Sequence, residues 1–367
     1  MRYVWTVAFF LVVIGLAVAP SLFVTEPPAD EELNIIAPHW DGIRHEFGRA
    51  FAASYHKETG RRVRVVWLDL GGGTGEIRKY LYDRFSQTRP EDGIGVDILF
   101  GGGMDMLPAM ADRNFFEPYA LDETQQKPLP ANMHGQQLRD AQNRYHAACL
   151  SSFGFVYNTR VIEITGLPTP KTWADLTRPE YQGWVSCGDP TESGSIHAAF
   201  ELILQKEGWE DGYRTLQLMF SNVRAFAKGG SAVPRDVSLG QAAAGPTIDF
   251  YATAPVRRQG ATHLKLVIPP GQSVATPDCI SILRNPANPK AARAFMRFVL
   301  SEAGQKLWYL PRDPEGKIPG SPREYDLERL PVMPHVYELG LPTNTVINPF
   351  KSAPDFQYDS RKTGARW

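Results

Sequence analysis

The sequence has few cysteines and no surplus of charge of either sign. Its 367 residues include three cysteines, and 39 lysines and arginines almost balance 40 aspartates and glutamates. No cysteine belongs to a Cys-x-x-Cys pair, so zinc and redox sites have no support. We interpret Cys149, Cys187 and Cys279 as small buried residues, with one disulfide as the alternative. The balanced charge argues against a nucleic-acid-binding protein.

Familiar catalytic and nucleotide-binding motifs are also missing. The glycine-rich segment 71–75 is not followed by Lys-Ser/Thr and lacks the dinucleotide-binding spacing, which argues against NTP hydrolysis. Ser193, Ser195 or Cys187 could pair with His197, but Gly-x-Ser-x-Gly is absent and no acid is placed to orient the histidine. Carboxylates such as those of Asp175 and Glu180 fall in a segment that we interpret as solvated surface. A hydrolase therefore remains only an alternative.

One long apolar run is present, from Tyr3 to Val24. At about 22 residues it is long enough to span a bilayer as a helix. Arg2 before it and acidic residues from Glu26 onwards favour a cytoplasmic N-terminus. A small-x-small site at 17–19 is followed by Pro20, which disfavours cleavage. An uncleaved membrane anchor and a cleaved signal peptide both remain open, and residues 25–30 are expected to form a short tether.

After this segment, strand patterns alternate with helix patterns, which predicts an α/β fold with a parallel sheet. The predicted strands are 33–37, 61–68, 96–100, 152–157, 184–187, 223–227, 247–250, 264–268 and 279–283. The predicted helices are 42–57, one from the glycine-rich turn to about 85, one after Gly101–Gly103, and 195–205, 209–220, 289–300 and 301–308. Ile43, Phe47, Phe51 and Tyr55 form the apolar face of the first helix.

Several segments occur in an order typical of one bacterial family. Residues 148–160 read ACLSSFGFVYNTR, and Thr172-Trp173-Ala174-Asp175-Leu176 follows Gly166-Leu167-Pro168. Asp189-Pro190-Thr191-Glu192-Ser193-Gly194-Ser195 and a Ser-x-x-Gly-Gln segment at 301–305 come later. This order resembles the extracellular solute-binding proteins of ABC importers, in the branch that includes ferric-ion and organophosphate binders.

The resemblance implies the two-domain type 2 periplasmic-binding-protein-like fold, with a ligand cleft between the lobes. The expected organisation is a signal peptide or anchor and tether at 1–32, lobe 1 from 33–150 plus 278–350, lobe 2 at 151–277, and a tail at 351–367. The last 50 or so residues are expected to wrap lobe 1, with the final ten or so loose. The resemblance also implies a monomer without a cofactor, located in the periplasm or on the outer face of the cytoplasmic membrane. Such a protein is expected to deliver a small molecule or ion to permease subunits served by a separate ATPase.

Loops that follow strand ends are the expected place for ligand. Glycines in them allow close backbone approach, hydroxyls add donors, and Trp40 could stack on a ring. Together with the family's segments, these loops give the candidate residues His39, Trp40, Gly72, Gly73, Thr74, Gly102, Gly103, Ser152, Ser193, Gly194, Ser195, Asp249 and Tyr251. The glycine-rich loops favour a small anionic solute, such as an organophosphate or phosphonate.

Ferric ion is the alternative ligand. Relatives that bind iron carry adjacent tyrosines where this chain has Phe250-Tyr251, so only one phenolate is available. His39 stands near the family's histidine position, and Glu76 or Asp105 could supply a carboxylate. The iron-binding hypothesis therefore uses His39, Glu76 and Tyr251, while the preferred hypothesis includes no metal.

Overall fold

The computed structural model describes residues 28–252, 262–343, 347–351 and 354–366. The expected N-terminal anchor or signal lies outside these residues. None of the helices in the described part combines the length and the apolar content that crossing a membrane requires. All three cysteines are free and buried, so the disulfide alternative does not apply.

The described residues form twelve strands and eleven helices, numbered here in chain order. The strands are β1 (Glu31–Ile36), β2 (Val63–Leu68), β3 (Ile98–Gly103), β4 (Phe116–Glu117), β5 (Asn132–Met133), β6 (Gln136–Gln137), β7 (His146–Asn158), β8 (Val185–Gly188), β9 (Val223–Ala227), β10 (Ala244–Ile248), β11 (Leu264–Val267) and β12 (Ala275–Leu283). The helices are α1 (Asp41–Thr59), α2 (Thr74–Ser86), α3 (Leu107–Asp112), α4 (Glu123–Gln126), α5 (Thr159–Thr165), α6 (Gly194–Glu207), α7 (Trp209–Ser221), α8 (Ala232–Ser238), α9 (Pro289–Val299), α10 (Glu302–Tyr309) and α11 (Ser360–Ala365). A further helical turn begins at Asp249. Short 3-10 helices occupy Trp173–Thr177, Pro179–Tyr181, Pro334–Glu338 and Pro349–Lys351.

The main sheet has the strand order β2-β1-β3-β12-β7-β10-β8-β9, with β4 beside β12 and β11 beside β7. β1 is parallel to β2 and β3, and β8 is parallel to β9 and β10. The sheet is nevertheless mixed rather than parallel throughout, because β12 runs antiparallel to β3 and β7. The sequence pattern did not predict this antiparallel strand. β12 returns from lobe 2, and an alternation of strands and helices does not show in which direction such a strand runs.

The long strand β7 divides the molecule into two lobes. Its first half pairs with β12, where Ser152 lies opposite Ala275. Its second half pairs with β10 and β11, where Phe153 lies opposite Ile248. Each half of the sheet has its own hydrophobic core, one around Phe47, Phe100 and Trp308 and another around Phe155, Trp173 and Ile203. The α/β, two-lobed architecture predicted from the sequence is confirmed.

The first helix is packed as its periodicity predicts. Ile43, Phe47, Phe51 and Tyr55 are all buried against lobe 1. The same helix buries Glu46, whose carboxylate accepts the backbone N–H groups of residues 323–325 at 2.5–3.1 Å. Burial alone would raise the pKa of Glu46, but these N–H groups hold it below its usual range. This carboxylate thus fixes the C-terminal extension to lobe 1.

Two local predictions are wrong. Gly101–Gly103 do not turn directly into a helix; they end β3, and the helix begins at Leu107. Gly101 has a positive φ of 99°, and a Cβ atom there would lie 2.7 Å from Nε2 of His39, so only glycine fits. The final residues are not loose, because Ser360–Ala365 form a helix and Thr363 is fully buried.

Candidate functional site

A cavity of about 500 Å³ lies between the two lobes. Its walls are loops that follow the C-terminal ends of β1, β2, β3, β8, β9 and β10, which is where open α/β sheets place ligands. The volume suits a small organic molecule. The candidate residues that the structure brings to this cavity are His39, Trp40, Gly72, Gly73, Thr74, Gly102, Gly103, Ser193, Gly194, Ser195 and Tyr251.

Ser152 and Asp249 do not line the cavity. Successive side chains of a strand point to opposite faces, so Ser151 and Phe153 line the cavity and Ser152 points away from it. The carboxylate of Asp249 accepts the backbone N–H groups of Ser152 and Phe250, at 2.8 and 2.7 Å. Burial raises the pKa of Asp249 to about 6. Its role is to join β7 to the turn after β10.

The N-termini of α2 and α6 meet at the cavity from opposite lobes. Oγ1 of Thr74 accepts the backbone N–H of Gly194 at 3.1 Å. A Cβ atom on Gly75 would lie 2.8 Å from the carbonyl oxygen of Thr191, so the two loops touch with no room for a side chain. Each helix N-terminus carries a partial positive charge, and the N–H groups of its first turn have no acceptor within the helix. Their convergence makes this end of the cavity suitable for an anion.

Serine hydroxyls and a second glycine loop complete the lobe 2 wall. Oγ of Ser193 lies 3.1 Å from Oγ of Ser195. A Cβ atom on Gly230 would lie 2.7 Å from Oγ of Ser195, so glycine alone allows the backbone to pass here. The loop 228–231 also brings Lys228 to the cavity. Sequence reasoning missed this loop, although glycines directly after the predicted strand 223–227 were the available signal.

Six carboxylates line the cavity, but most of them have a cationic partner. They belong to Asp41, Asp69, Glu76, Asp105, Glu192 and Asp278. Nη1 of Arg44 lies 3.0 Å from Asp69, and Nζ of Lys79 lies 2.9 Å from Glu192 in the other lobe. Asp41 and Glu76 lie at 3.7 and 3.5 Å from the same two cations. Lys228 also lines the cavity, and it forms no ion pair with a carboxylate among the described residues.

A buried arginine lies behind the cavity floor. Nη2 of Arg329 lies 2.6 Å from both Oδ2 of Asp278 and Oγ of Ser151, and its guanidinium covers the Phe250 ring at 4.0 Å. Burial alone would raise the pKa of Asp278, but Arg329 outweighs burial and holds the pKa low. Arg329 therefore connects β7 and β12 to a lobe 2 ring. No local signal in the sequence indicated it.

Burial shifts the pKa values of three further titratable groups at the cavity. Burial lowers the pKa of His39 to about 3, so its imidazole is neutral at neutral pH. Burial raises the pKa of Tyr251 and thereby opposes formation of a phenolate. It also raises the pKa of Asp105 to about 7, so this carboxyl is partly protonated at neutral pH. The cavity thus offers hydrogen-bonding groups more than free charges.

The nucleophile–base pairs considered from the sequence are not arranged for catalysis. Nε2 of His197 lies 3.1 Å from the carbonyl oxygen of Thr363, on the side of α6 that faces the C-terminal segment. Ser195 instead pairs with Ser193. Cys187 is buried, and burial raises the pKa of its thiol to about 12, which leaves almost no thiolate.

The residues of the iron-binding hypothesis share the cavity. His39, Glu76 and Tyr251 all line it. Within the described residues, however, no three His, Cys, Asp or Glu side chains are grouped as a metal site would require. Of the adjacent pair Phe250-Tyr251, only Tyr251 has a phenol oxygen that could bind a metal. The Phe250 ring instead packs against the Arg329 guanidinium.

With this geometry established, comparison with known proteins identifies the family. The family model described as bacterial extracellular solute-binding protein matches residues 96–314, more than half of the chain. The chain belongs to this family. Members are extracellular solute-binding proteins by that description, and the resemblance inferred from the sequence segments is confirmed.

Curated relatives match part of the chain. The phosphoglycerate transport regulatory protein PgtC of Salmonella typhimurium is 31% identical over 183 residues, which cover 50% of this chain and 45% of that protein. An uncharacterized protein of Haemophilus influenzae is 27% identical over 216 residues, covering 58% and 60%. The chain thus spans only about half the length of the curated relatives that it matches.

Solved structures share the fold over almost the whole chain. The periplasmic binding protein AfuA of Actinobacillus pleuropneumoniae, with fructose-6-phosphate bound, gives a TM-score of 0.71 at 18% identity and covers 92% of this chain and 94% of that one. The periplasmic binding protein P5PA gives 0.71 at 21% identity, covering 91% and 95%. Iron-bound HitA of Pseudomonas aeruginosa gives 0.66 at 16% identity, covering 92% and 97%. At these identities the likeness establishes the fold.

Proposed function

We propose that this protein is the solute receptor of an ABC importer and that it captures a small phosphorylated organic molecule between its lobes. The observation that carries the proposal is the meeting of two helix N-termini, from opposite lobes, at one end of the cavity. Two similar proteins agree with this ligand class, since PgtC is named for phosphoglycerate transport and the AfuA structure has fructose-6-phosphate bound.

The proposed ligand contacts divide between the two walls. Backbone N–H groups of Gly73 and Thr74, with the hydroxyls of Ser193 and Ser195, receive the phosphate, and Lys228 supplies a full positive charge. The organic part extends towards Trp40, His39 and Gly102–Gly103. Because these groups belong to both lobes, ligand favours the closed arrangement of the lobes.

The proposed domain boundaries follow the crossings of the main sheet. These crossings place lobe 1 at residues 31–152 plus 275–350 and lobe 2 at 153–274, two to three residues from the expected bounds of 33–150 plus 278–350 and 151–277. We propose that β7 and β12 bend at the junction when the lobes close. The receptor acts as a monomer and delivers its ligand to permease subunits driven by a separate ATPase, with the segment before β1, residues 1–30, serving as signal or anchor and tether.

A binding role fits better than catalysis. Ser195 pairs with a second serine, and Nε2 of His197 lies against a backbone carbonyl, so these contacts do not form the serine–histidine pair considered from the sequence. The carboxylate of Asp175 accepts the N–H groups of Lys171 and Thr172, which is a helix-capping role. The contacts of His197 and Asp175 are therefore structural, because one lies against the C-terminal segment and the other caps a short helix.

Replacing Lys228 with glutamine is expected to weaken phosphate-ester binding about tenfold. The loss of one charge-assisted hydrogen bond to phosphate is expected to weaken binding by roughly this factor. Affinity should also depend less on salt, because one screened ion pair is lost. Calorimetric titration of the full chain with 3-phosphoglycerate, glycerol 3-phosphate and hexose 6-phosphates at two salt concentrations measures both effects.

Lys171→Gln serves as the matched control for this measurement. Lys171 is an exposed lysine of the same lobe that does not line the cavity. Its substitution should leave both affinity and salt dependence unchanged. Equal weakening in the two variants would mean that Lys228 acts only through the general field of the protein, and unchanged binding in Lys228→Gln would remove it from the site.

Ferric ion remains the second candidate, favoured by the presence of His39, Glu76 and Tyr251 on one cavity. It is ranked below phosphate esters because burial raises the pKa of Tyr251 and a second tyrosine is replaced by Phe250. A hard trivalent ion needs anionic oxygen donors, and this set offers few.

A further inference from the structure

The C-terminal segment 354–366 lies against both lobes instead of wrapping lobe 1 alone. It lies beyond the part of the chain that the family model matches. Tyr358 and Thr363 are buried, at 5% and 0% exposure, so two side chains fix the segment to the body of the protein while most of its other residues stay exposed. α11 contacts α6 of lobe 2. The segment is therefore an ordered connection between two parts of the molecule.

Its contacts with lobe 1 concentrate on the loop after β3. The hydroxyl of Tyr358 lies 3.2 Å from Oδ1 of Asp105, and Nε2 of Gln136 donates to the Tyr358 carbonyl at 2.7 Å. A Cβ atom on Gly364 would lie only 2.0 Å from the backbone oxygen of Asp105. The loop and the segment are thus in direct backbone contact, with no room for a side chain at residue 364.

Its polar contacts with lobe 2 concentrate on α6, while Arg366 also covers the Trp209 ring of α7 at 4.6 Å and Asp355 lies against Gly271. Nε2 of His197 and Nε2 of Gln205 lie 3.1 and 2.9 Å from the carbonyl oxygen and Oγ1 of Thr363. The guanidinium of Arg366 pairs with Glu201 at 3.0 Å. These three positions, spaced four residues apart, form one face of the helix. The segment consequently holds the helix whose N-terminus forms the lobe 2 wall of the cavity.

We propose that residues 354–366 form a clasp that stabilises the closed arrangement of the lobes, with Tyr358 as its positioning residue. The clasp does not line the cavity. Asp105, which does, is its lobe 1 anchor, and α6 is its lobe 2 anchor. The inference rests on the proposed capture between two lobes, and it is independent of the chemical class of the ligand.

The clasp acts on the population of closed molecules rather than on ligand contacts. When the lobes separate, either the Asp105 contacts or the α6 contacts have to break, because one short segment holds both. The closed form is therefore favoured even without ligand, and apparent affinity rises in proportion to the closed fraction. Loss of one buried hydrogen bond at Tyr358 should change the closed-to-open ratio about fivefold.

The test compares the full chain with a variant that ends at residue 353 and with Tyr358→Phe. Surface cysteines introduced by Glu91→Cys in lobe 1 and Lys171→Cys in lobe 2 carry spin labels, while the three native cysteines are buried. Interlobe distances are measured in ligand-free protein. We expect the distribution to shift to longer distances in the truncated variant, and by a smaller amount in Tyr358→Phe.

Tyr213→Phe, an exposed tyrosine of lobe 2, is the matched control and should leave the distances unchanged. If the truncated chain does not fold, Tyr358→Phe and Gln205→Ala decide the outcome, since each removes one side of the clasp. A lower melting temperature with unchanged interlobe distances would overturn the proposal, because it would show a purely structural role. The measurement needs no ligand, so it separates the clasp from the phosphate-ester proposal.

Discussion

Arg329→Met is expected to destabilise the folded protein by about 3–5 kcal/mol. Arg329 is fully buried, and its guanidinium lies 2.6 Å from both Asp278 and Ser151. Removing the cation leaves the Asp278 carboxylate in a low-dielectric site without its partner, which costs more than the pair itself contributed. The change also removes the contact with the Phe250 ring. Urea unfolding of the wild type and the variant gives the difference in free energy.

The pH dependence supplies an independent check on this pair. Arg329 keeps the pKa of Asp278 below the usual value, so the pair stabilises the fold above the pKa of a free aspartate and loses this effect as the pH falls. In Arg329→Met the guanidinium no longer opposes burial, and only the backbone hydrogen bond from Gly102 and the nearby His39 still lower the pKa of Asp278. This pKa therefore rises, and the variant should lose less stability than the wild type as the pH falls from neutral towards 5. The double variant with Asp278→Asn should recover much of the loss.

Arg312→Met is the control, because Arg312 is exposed and belongs to the same extension. Its effect should stay below about 1 kcal/mol, as is usual for surface ion pairs. If Arg329→Met cost no more than this control, Arg329 would not be the buried link between the strands and the lobe 2 ring that its contacts indicate.

Gly75→Val is expected to reduce ligand affinity at least a hundredfold while leaving the fold intact. Gly75 lies in the first turn of α2, where valine is compatible with the helical backbone. Its Cβ atom would meet the carbonyl oxygen of Thr191 at 2.8 Å and Cα of Glu192 at 3.1 Å, both backbone atoms of the other lobe. The two walls then cannot close on a ligand, and the contacts from one wall are lost.

Calorimetry with the phosphate-ester panel measures the affinity, and small-angle scattering with ligand measures closure. Arg84→Val places the same side chain on an exposed position of α2 and should leave both unchanged. Wild-type affinity in Gly75→Val would mean that the lobes bind ligand without the contact between Gly75 and Thr191.

Some parts of this site were predictable from local sequence. A β-branched run followed by glycines marks a strand end and predicts the loop 71–74, while the family segment Asp189–Ser195 predicts the loop 193–195; both line the cavity. The same rule would have found Lys228–Gly230. Ser151 and Ser152 are adjacent serines in one buried strand, and only the register of β7 decides which of them faces the cavity.

Other parts depend on contacts between distant residues. Arg329 reaches Ser151 and Asp278 across separations of 178 and 51 residues, and nothing in its neighbours distinguishes it from a surface arginine. The C-terminal segment is polar, as a loose tail would be, yet it is held by hydrogen bonds to α6 and by close backbone packing at Asp105. The polar composition of the segment shows only that it can be exposed to water. Whether it packs depends on residues of both lobes that are distant in the sequence.

Titration calorimetry with matched compounds tests the central claim most directly. The full chain is titrated in phosphate-free buffer with 3-phosphoglycerate, glycerol 3-phosphate and fructose 6-phosphate, and with glycerate, glycerol and fructose. We predict one-to-one binding of at least one phosphorylated compound, with a dissociation constant of about 10 μM or lower, and no measurable binding of its unphosphorylated counterpart. Equal binding of both members of a pair, or no binding of any ester beside a coloured ferric complex that Tyr251→Phe abolishes, would contradict the phosphate-ester account.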